Sequence, residues 1–444
     1  MSEKPRTEPA RGMRDFLPED IRRRAYVIGV ITRVYERYGF EPLETPAVEN
    51  LDTLLGKYGD EGNQLIFKIL MRGEHEASGK ADLALRYDLT VPLARVVAHH
   101  QAKLPRLFKR YQIQPVWRAD RPAKGRFREF YQCDVDTLGA TSPVVEAELC
   151  AAVAEVLAEL GFGDFTIRIN HRQLLTALLN GAGVAPERHA DALVTIDKLD
   201  KVGPERVSEE LAGRGLAADS VQRLVDTFAD HPLERQDRFV PGDPVGPDAV
   251  KNLQAVIELT AGTAAAGRVE FDVTLARGLS YYTGAIMEIN VPDLAGSLGG
   301  GGRYDNLVGM FLGQNVPACG FSLGLERILV VMAERNMFPA SLALSPADVM
   351  VAAFDASSLG EAMRVAGRLR GQGLRVFVYP DADKIGKQIK YADARGIPFV
   401  AMLGEHEMRD GTLTIKNLAT QAQDTQPQAA AGAAILTALK QRAG

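Results

Sequence analysis

Residues 111–118 read YQIQPVWR and residues 126–136 read RFREFYQCDVD, and these two stretches decide the fold of the domain around them. Apolar side chains recur at every second position of the first stretch, at Tyr111, Ile113, Pro115 and Trp117. They do so again in the second stretch, at Phe127, Tyr131, Cys133 and Val135. A period of two is typical of β-strands, so the pair predicts an antiparallel hairpin from Arg106 to Leu138 with one polar face.

The polar face of this hairpin carries a cation and several acids. Arg118 ends the first strand on the same face as Gln112 and Gln114. The hairpin geometry is expected to bring Arg118 near Gln132 and Asp136 on the return strand. A fixed guanidinium beside carboxylates suits a zwitterionic substrate that also carries a phosphate. A solvated face with cross-strand ion pairs is the alternative that the hairpin alone leaves open.

Upstream, residues 86–92 read RYDLTVP and link a predicted strand to a predicted helix. Thr90 is a suitable N-cap, and Pro92 is tolerated in the first helical turn. Asp88 fits a ligand contact and an acid that favours a helix start equally well.

The amino-terminal part predicts a helix followed by a strand. Apolar residues at helical spacing predict the helix from Pro18 to Tyr38. The strand is predicted from Glu41 to Val48, and because it contains Pro42 and Pro46 it is expected at a sheet edge or a subunit interface.

Downstream, one helix is predicted from Glu146 to Leu160, and helical patterns dominate from Arg172 to Gly262. Strands return from Arg268 to Val291. We therefore interpret the helical region as an insertion in the sheet.

Residues 277–284, RGLSYYTG, place a permanent cation beside two phenols between predicted strands. This pattern indicates a site for a polar or anionic ligand, although an ordinary connection explains the octamer alone equally well. The glycine run 299–302 either lets a ligand approach the backbone or turns the chain. Arg327 begins an otherwise apolar helix, where a guanidinium requires an anion.

Beyond Pro346, strand and helix patterns alternate. Strands are predicted at Val349–Phe354, Leu374–Tyr379 and Pro398–Leu403, with helices at Leu359–Arg370 and Gly386–Arg395. This order implies βαβ crossovers in a separate domain.

The bulk composition is that of an ordinary soluble protein with 444 residues, 46% hydrophobic and 25% charged. The length predicts more than one domain. A net charge of -5 does not argue against a nucleic-acid partner, because phosphate contacts depend on local basic patches. Three scattered cysteines and histidines without ligand spacing predict no disulfide framework and no zinc site. We find no signal peptide or membrane span, and expect a reducing cytoplasm.

Several segments together resemble a known family. Pro46, the Arg118 hairpin and the turn at residues 324–327 are similar, in their order, to the three motifs of class II aminoacyl-tRNA synthetases. The octamer 277–284 and residues 301–305, GGRYD, resemble two signatures of histidyl-tRNA synthetases. The resemblance covers almost the whole chain, including residues 197–201 and 386–393.

The resemblance implies a fold and an assembly. It implies an α+β catalytic domain with an antiparallel sheet flanked by helices, a helical insertion and a C-terminal α/β anticodon-binding domain. The expected bounds are 1–170 and 263–340 for the two parts of the catalytic domain, 171–262 for the insertion and 345–444 for the anticodon-binding domain. It also implies a homodimer with the first motif at its interface.

The resemblance further implies a reaction and its partners. L-histidine would react with ATP in the presence of Mg²⁺ to give histidyl-adenylate and pyrophosphate. Histidine tRNA would then receive the histidine at its 3′ end. A regulatory paralogue, which binds ATP phosphoribosyltransferase in histidine biosynthesis, is the alternative. Such paralogues typically lack the anticodon domain and the catalytic arginines.

The family's functional residues carry over as follows. Arg118 would hold the α-phosphate and the substrate carboxylate, Arg277 would approach the same phosphate, and Arg327 would contact adenine and the γ-phosphate. Asp88, Thr90 and Gln132 would receive the ammonium group. Asp136 and Tyr282 would hydrogen-bond the imidazole, with Tyr281 supporting the pocket. The tRNA contacts would include Arg121, Lys124 and Arg126 at the acceptor end and Lys387 and Lys390 in the last domain. Ser280 departs from the family, most members having Asp there.

Overall fold

The structure is a computed structural model that describes residues 7–73, 78–228, 233, 243–276, 281–339, 342 and 345–443. The chain divides into two compact units. The first comprises Met1–Asp15 and Arg24–Met337, and the second comprises Phe16–Arg23 and Phe338–Gly444. No helix in the described part of the chain is both long enough and apolar enough to cross a bilayer.

The helices are α1 Pro18–Arg37, α2 Leu51–Leu54, α3 Gly59–Gln64, α4 Thr90–His99, α5 Val144–Glu159, α6 Arg172–Gly181, α7 His189–Ile196, α8 Leu199–Gly213, α9 Ala218–Phe228, α10 Gly246–Thr260, α11 Gly309–Leu312, α12 Leu325–Glu334, α13 Leu359–Gly371, α14 Ile385–Ala394, α15 Glu405–Asp410 and α16 Gln428–Ala443. The strands are β1 Glu41–Pro42, β2 Val48–Asn50, β3 Lys68–Leu70, β4 Ala81–Leu85, β5 Phe108–Trp117, β6 Glu129–Leu138, β7 Thr166–His171, β8 Val269–Phe271, β9 Ala285–Asn290, β10 Gly299–Arg303, β11 Ala318–Gly324, β12 Val349–Ala353, β13 Val376–Val378, β14 Phe399–Leu403, β15 Thr412–Asn417 and β16 Gln423–Pro427.

An eight-stranded sheet is the centre of the first unit. Its strand order is β1, β5, β6, β11, β10, β9, β7, β8. The five pairings from β5 to β7 are antiparallel, and only the two edge pairings, β1 with β5 and β7 with β8, are parallel. Helices pack on the sheet, including α5 against β11 and α10 against α5 and β7. The predicted α+β class with a largely antiparallel sheet is confirmed.

The predicted hairpin is confirmed as β5 and β6, but one expectation about it is wrong. The register pairs Asp136 with Arg110 and Gln132 with Gln114. Asp136 therefore lies at the opposite end of the hairpin from Arg118, which follows the last paired residue, Trp117. The loop of the hairpin fixes this register, and the alternation of apolar residues alone does not.

The predicted strand from Glu41 to Val48 is also wrong in its extent. Only Glu41 and Pro42 pair with β5, and Val48 begins β2 in a separate three-stranded sheet. Pro42 lies on the edge strand, where its missing N–H breaks no ladder. Pro46 lies between the two strands.

The helical region and the returning strands match the predictions. Helices α6 to α10 occupy most of residues 172–260, and the chain re-enters the sheet through β8 and β9. The glycine run, for which the sequence left a turn possible, is the central strand β10.

The second unit contains a five-stranded sheet in the order β13, β12, β14, β15, β16. The first three strands are parallel and are connected through α13 and α14, which confirms the predicted βαβ units. The remaining strands are antiparallel and lead into α16. Apolar residues of β12, β14 and α13 form its core, as in other sheets covered by helices.

Candidate active site

A cavity of about 710 Å³ opens on the polar face of the eight-stranded sheet. Strands β9, β10 and β11 contribute to its lining, together with the loop between β5 and β6, the first residues of β6 and the start of α12. Eight of the predicted site residues line it, namely Asp88, Thr90, Arg118, Arg126, Gln132, Tyr281, Tyr282 and Arg327. The fold thus brings together residues that lie 239 positions apart in the sequence.

Asp88 forms the acidic end of the cavity. Its Oδ1 accepts hydrogen bonds from the Tyr58 hydroxyl at 2.9 Å and from the backbone N–H of Val91 at 3.1 Å. Its Oδ2 accepts a bond from the Tyr281 hydroxyl at 3.2 Å. Burial raises the pKa of Asp88, and these donors oppose the rise.

The same geometry corrects the predicted helix cap. Thr90 is the first residue of α4 and not its N-cap. The bond from Val91 to Asp88 performs the capping instead. Asp88 therefore has both roles that the sequence left open: it supports the helix start and it faces the cavity.

Gln132 lies beside this end and offers an acceptor. Its Nε2 donates to the Ser322 hydroxyl at 2.9 Å. Its Oε1 is buried and has no donor within the described residues. A buried amide oxygen without a donor is costly unless a ligand supplies one. Gln132 is thus suited to receive an N–H group in the cavity.

The phenol rings of Tyr281 and Tyr282 form one wall of the cavity, which we call the tyrosine wall. The rings of Tyr281 and Tyr282 meet edge to face at 5.2 Å, and Tyr304 packs edge to face on Tyr281 at 5.9 Å. Burial raises the pKa of Tyr281 and of Tyr282 above the ordinary tyrosine value. These hydroxyls therefore stay protonated near neutral pH and can donate or accept hydrogen bonds.

Asp136 does not reach the cavity wall. It is buried behind the tyrosines, where its Oδ1 accepts the hydroxyl of Tyr304 and its Oδ2 lies 2.8 Å from Nη2 of Arg110. The structure therefore does not place Asp136 where it could contact a ligand in the cavity directly, as the sequence predicted. The reason is the hairpin register, which sets Asp136 against Arg110.

Arg118 lines the cavity and lies at the other end of the hairpin from Asp136. Its Nε donates to the Tyr87 carbonyl at 3.1 Å, and its guanidinium lies over the Tyr87 ring at 4.3 Å and the Phe130 ring at 5.2 Å. Stacking on two rings restricts the guanidinium while it still lines the cavity. Such a group is suited to bind an anion.

Arg327 is a second cation on the lining. It lies in the first turn of α12, and its Nη1 donates to the Ser297 carbonyl. The adjacent Glu326 is buried, and its Oε2 accepts the backbone N–H of Tyr131 at 2.9 Å. This bond ties the start of α12 to β6, so the two arginines are held by connected elements.

Two glycines of the central sheet, Gly302 on β10 and Gly320 on β11, lie against closely packed neighbours. A Cβ on Gly302 would lie 2.6 Å from the Ala285 carbonyl oxygen and 2.9 Å from the Tyr282 ring. A Cβ on Gly320 would lie 1.9 Å from Oδ1 of Asp136. Glycine is therefore required at both positions by the close approach of neighbouring atoms, which the sequence left undecided.

The predicted tRNA residues lie at different places. In the hairpin loop, Arg121 is exposed, Lys124 pairs with Glu334 at 2.6 Å, and Arg126 pairs with Asp120 at 2.9 Å on the cavity lining. In the second unit, Lys387 and Lys390 are exposed on α14. Lys387 pairs there with Asp383 at 2.7 Å.

Arg277 and Ser280 lie outside the described residues. The segment just before them is held by Asn170, whose Nδ2 donates to the carbonyls of Val273 and Leu275, each at 3.0 Å. Asn170 is fully buried on β7. The octamer thus follows a segment that is fixed to the sheet.

Some residues of the site were missed by sequence reasoning. Tyr58 was missed because it lies in a short helical region without a motif, and no sequence signal indicates its bond to Asp88. Arg110 has a signal, because it shares the polar parity of Gln112 in the hairpin, but its partner depends on the register. Tyr304 and Glu326 lie inside recognised motifs, although no role was predicted for either side chain.

The arrangement has a defined chemical capacity. Cations at Arg118 and Arg327 can bind phosphate or carboxylate oxygens, while Asp88 and the oxygen of Gln132 can bind an ammonium group. The tyrosine wall offers neutral hydrogen-bonding groups near buried carboxylates. The cavity can therefore hold an amino acid next to a phosphate ester.

Comparisons with known proteins give a consistent result. A family model described as histidyl-tRNA synthetase matches residues 12–328, and one described as anticodon binding domain matches residues 348–437. A histidine–tRNA ligase of Cytophaga hutchinsonii is 43% identical over 92% of this chain and 94% of its own length. The histidine–tRNA ligase of Gloeobacter violaceus is 42% identical over 97% and 98%. The crystal structure of histidyl-tRNA synthetase from Nostoc sp. PCC 7120 matches with a TM-score of 0.82 at 31% identity, covering 99% of this chain and all of that one.

Proposed function

We propose that this chain, which belongs to the histidyl-tRNA synthetase family, activates L-histidine with ATP and transfers it to histidine tRNA. The observation that carries the proposal is the cavity itself, which has the guanidiniums of Arg118, Arg126 and Arg327 on its lining and an acidic, hydrogen-bonding end at Asp88. That charge distribution fits a zwitterionic amino acid beside the α-phosphate of ATP.

At the acidic end, the substrate ammonium would bind Asp88, the Thr90 hydroxyl and Oε1 of Gln132. The support is that all three line the cavity and that Oε1 has no donor among the described residues. The fixed donors from Tyr58 and Tyr281 keep the Asp88 carboxylate in one orientation. Binding there would orient the substrate carboxylate away from Asp88 and toward the cations.

At the cationic side, Arg118 would hold the substrate carboxylate and the α-phosphate, and Arg327 would contact adenine and the γ-phosphate. Arg277 keeps the role that the family resemblance implies, which is to approach the α-phosphate from the other side. A carboxylate oxygen attacks the α-phosphorus, a new P–O bond forms, and pyrophosphate leaves with the electrons of the broken P–O bond. The nucleophile is already an anion, so positioning and charge stabilisation are the main tasks.

The imidazole would lie against the tyrosine wall. Tyr282 would hydrogen-bond one ring nitrogen directly, and Tyr281 would support it. The role first assigned to Asp136 becomes indirect, because Tyr304 and Arg110 occupy its two oxygens. A pocket that satisfies ring nitrogens disfavours apolar amino acids, which would leave its polar groups unpaired.

Magnesium would accompany ATP, and the lining fits it. Mg²⁺ commonly takes one or two carboxylates together with substrate phosphates. Glu288 on β9 lines the cavity and offers such a carboxylate. The ion would supply positive charge at the phosphates when bound.

The tRNA would contact both units. Arg121, Lys124 and Arg126 lie in the exposed hairpin loop, where the acceptor end would approach. Lys387 and Lys390 present positive charge on α14 of the unit that matches the anticodon-binding family. Salt-dependent phosphate contacts are the expected contribution of these residues.

The expected setting is a cytoplasmic homodimer, with the segment around Pro46 at the interface. The regulatory paralogue remains disfavoured, because the chain keeps the C-terminal unit and the cavity keeps Arg118 and Arg327. The high identity to histidine–tRNA ligases over nearly full length also favours the enzyme.

The decisive test is histidine-dependent exchange of pyrophosphate into ATP. The unmodified protein should catalyse exchange with histidine and not with other amino acids. Arg118→Ala and Arg277→Ala should each lower kcat/KM by about a hundredfold or more, because each removes charge stabilisation of the transition state.

The variants separate the two parts of the proposal. If the unmodified protein gives no exchange with histidine, the synthetase function is refuted. If exchange is normal but survives Arg277→Ala undiminished, only the role of Arg277 is lost. A Lys387→Ala/Lys390→Ala double variant is the control for tRNA binding: its exchange should be unchanged, while its KM for tRNA rises.

A further inference from the structure

Arg110 is a fully buried guanidinium on the cavity face of the sheet, and the family motifs assign it no role. It lies on β5, opposite Asp136 in the register, with Asp134 two residues away on the same face of β6. Its Nη2 is 2.8 Å from Oδ2 of Asp136 and 3.9 Å from Oδ2 of Asp134. One cation thus serves two buried carboxylates.

The first carboxylate connects Arg110 to the tyrosine wall. Asp136 accepts the hydroxyl of Tyr304, and Tyr304 packs on Tyr281. The Asp136 carboxylate is also seated against bare backbone, because Gly320 leaves no room for a Cβ. A movement of Asp136 would therefore shift the tyrosines that line the cavity.

The second carboxylate connects Arg110 to the opposite part of the lining. Asp134 lies opposite Ser322 in the pairing of β6 with β11, and the Ser322 hydroxyl stabilises the ionised form of Asp134. Ser322 in turn accepts the bond from Gln132, and both of these residues line the cavity. The two connections from Arg110 thus end on both sides of the same subsite.

The charge of this cluster is not that of a structural ion pair. A buried ion pair repays the cost of its desolvation only when its geometry is good and hydrogen bonds satisfy its remaining polar atoms. Here the described residues leave Nε of Arg110 without an acceptor and give the cluster one carboxylate in excess. Because burial raises the pKa of Asp134, this additional carboxyl group holds less negative charge near neutral pH than an exposed aspartate would, but it still favours a ligand group that presents an N–H or a partial positive charge.

We propose that Arg110 is a positioning residue for amino-acid specificity: it fixes Asp134 and Asp136 so that the tyrosine wall presents a preorganised, negatively biased subsite to the imidazole of histidine, while Gln132 keeps its place for the ammonium group. This inference rests on the proposed function. It concerns the amino-acid side of the cavity and not the side of Arg118 and Arg327, so its effects should be selective for histidine over ATP.

The test compares Arg110→Gln and Arg110→Lys in the exchange assay. Arg110→Gln should raise KM for histidine about tenfold or more, because it leaves buried carboxylates without their cation, while KM for ATP stays within about twofold. Arg110→Lys should recover part of the loss, since it keeps the charge but not the guanidinium geometry. The inhibition constant of L-histidinol, which has the imidazole but no carboxylate, should rise together with KM for histidine.

Glu146→Gln is the matched control, since it perturbs a buried ion pair on the other face of the same sheet. It should not change KM for histidine selectively. The proposal is overturned if KM for histidine and for ATP rise together in Arg110→Gln, if neither changes, or if Arg110→Lys behaves no better than Arg110→Gln. If Arg110→Gln does not fold, the test is Arg110→Lys against the unmodified protein: the proposal requires KM for histidine to rise more than KM for ATP. Failure of the proposed function is separate, because it would show as no exchange by the unmodified protein.

Discussion

The two faces of the eight-stranded sheet each bury a guanidinium, and the two are satisfied very differently. On the face covered by α5, all three nitrogens of Arg303 donate: Nε and Nη2 to Glu146 at 2.6 and 2.8 Å, and Nη1 to the Ala140 carbonyl at 3.0 Å. On the cavity face, Arg110 is shared between Asp134 and Asp136. The alternation along β10, β11 and β6 keeps the two clusters on opposite faces.

The two clusters differ in how far their partners offset the cost of burial. Burial lowers the pKa of Arg303, but the hydrogen bonds of Glu146 outweigh it, and the net pKa lies above the ordinary arginine value. On the cavity face, burial raises the pKa of Asp134 and of Asp136, and Arg110 only partly opposes the rise. In the first cluster the fold supplies partners that outweigh the effect of burial, whereas in the second the pKa values of both carboxyl groups remain raised.

The largest expected effect is on stability and comes from the helix-covered face. Glu146→Ala would leave Arg303 buried without a counter-ion, and we expect it to lower the free energy of unfolding by about 3 to 5 kcal/mol. Chemical denaturation of the purified variant measures this. A loss below about 1 kcal/mol would contradict the structural role of the pair.

The next largest effect concerns Gly302 on the central strand β10. Gly302→Ala would force a Cβ to within 2.6 Å of the Ala285 carbonyl oxygen, and we expect it to lower the free energy of unfolding by about 1 to 3 kcal/mol. Gly300→Ala is the control, because its nearest neighbour would be the Met287 carbonyl oxygen at 3.2 Å. Equal losses of stability for the two variants would show that close packing at Gly302 is not the cause.

Asp88 on the cavity lining and the buried Asp134 and Asp136 behind it predict a pH dependence. Burial raises the pKa of Asp88, Asp134 and Asp136, so kcat/KM for histidine should fall on the acid side at a higher pH than ordinary aspartates would give. Below that pH the carboxylates become protonated, and the negative charge that attracts the substrate is lost.

Arg110→Gln sharpens this prediction, because Arg110 lowers the pKa of Asp134 and of Asp136. The acid limb of its profile should move to higher pH. The groups facing these carboxylates are Asp88, Tyr304 and Ser322, and they are unchanged in the variant. The titration of free histidine is also the same in both profiles, so an unshifted limb would contradict the prediction.

The smallest expected effect is on stability and comes from the cavity face. Asp134→Asn removes one of two carboxylates that share a single cation, and it should change the free energy of unfolding by less than about 1 kcal/mol. Its contrast with Glu146→Ala in the same denaturation assay is the measurement. A loss as large as that of Glu146→Ala would mean that both faces serve stability alike.

Much of this fold follows from local patterns. Parity along residues 111–136 predicts the hairpin, helical spacing predicts α1 and α5, and the alternation after Pro346 predicts the βαβ units. These predictions hold because apolar periodicity reports directly which face an element buries. The parity of the hairpin also put Arg118 and Gln132 on one polar face, and both line the cavity together with six predicted residues from other segments.

The rest depends on information that no local pattern carries. The partner of Asp136 was mistaken because a loop of 11 residues, 118–128, sets the register of β5 and β6. The strand at residues 41–48 was too long because tertiary contacts divide it between two sheets. The bond between Tyr58 and Asp88 spans 30 residues and arises only when Tyr58 packs with residues of α4 in one buried cluster.

The glycines of strand β10 limit the amino-acid substitutions that this site can accept during evolution. Single amino-acid replacements at Gly299 or Gly301 would place a Cβ 2.4 or 2.2 Å from a carbonyl oxygen of β11, and nothing flexible is there to yield. An inhibitor that gains its affinity from this backbone would therefore leave the organism few routes to resistance in β10. Escape would have to arise in the surrounding side chains, such as Tyr282 or Gln132, on which substrate selection also depends.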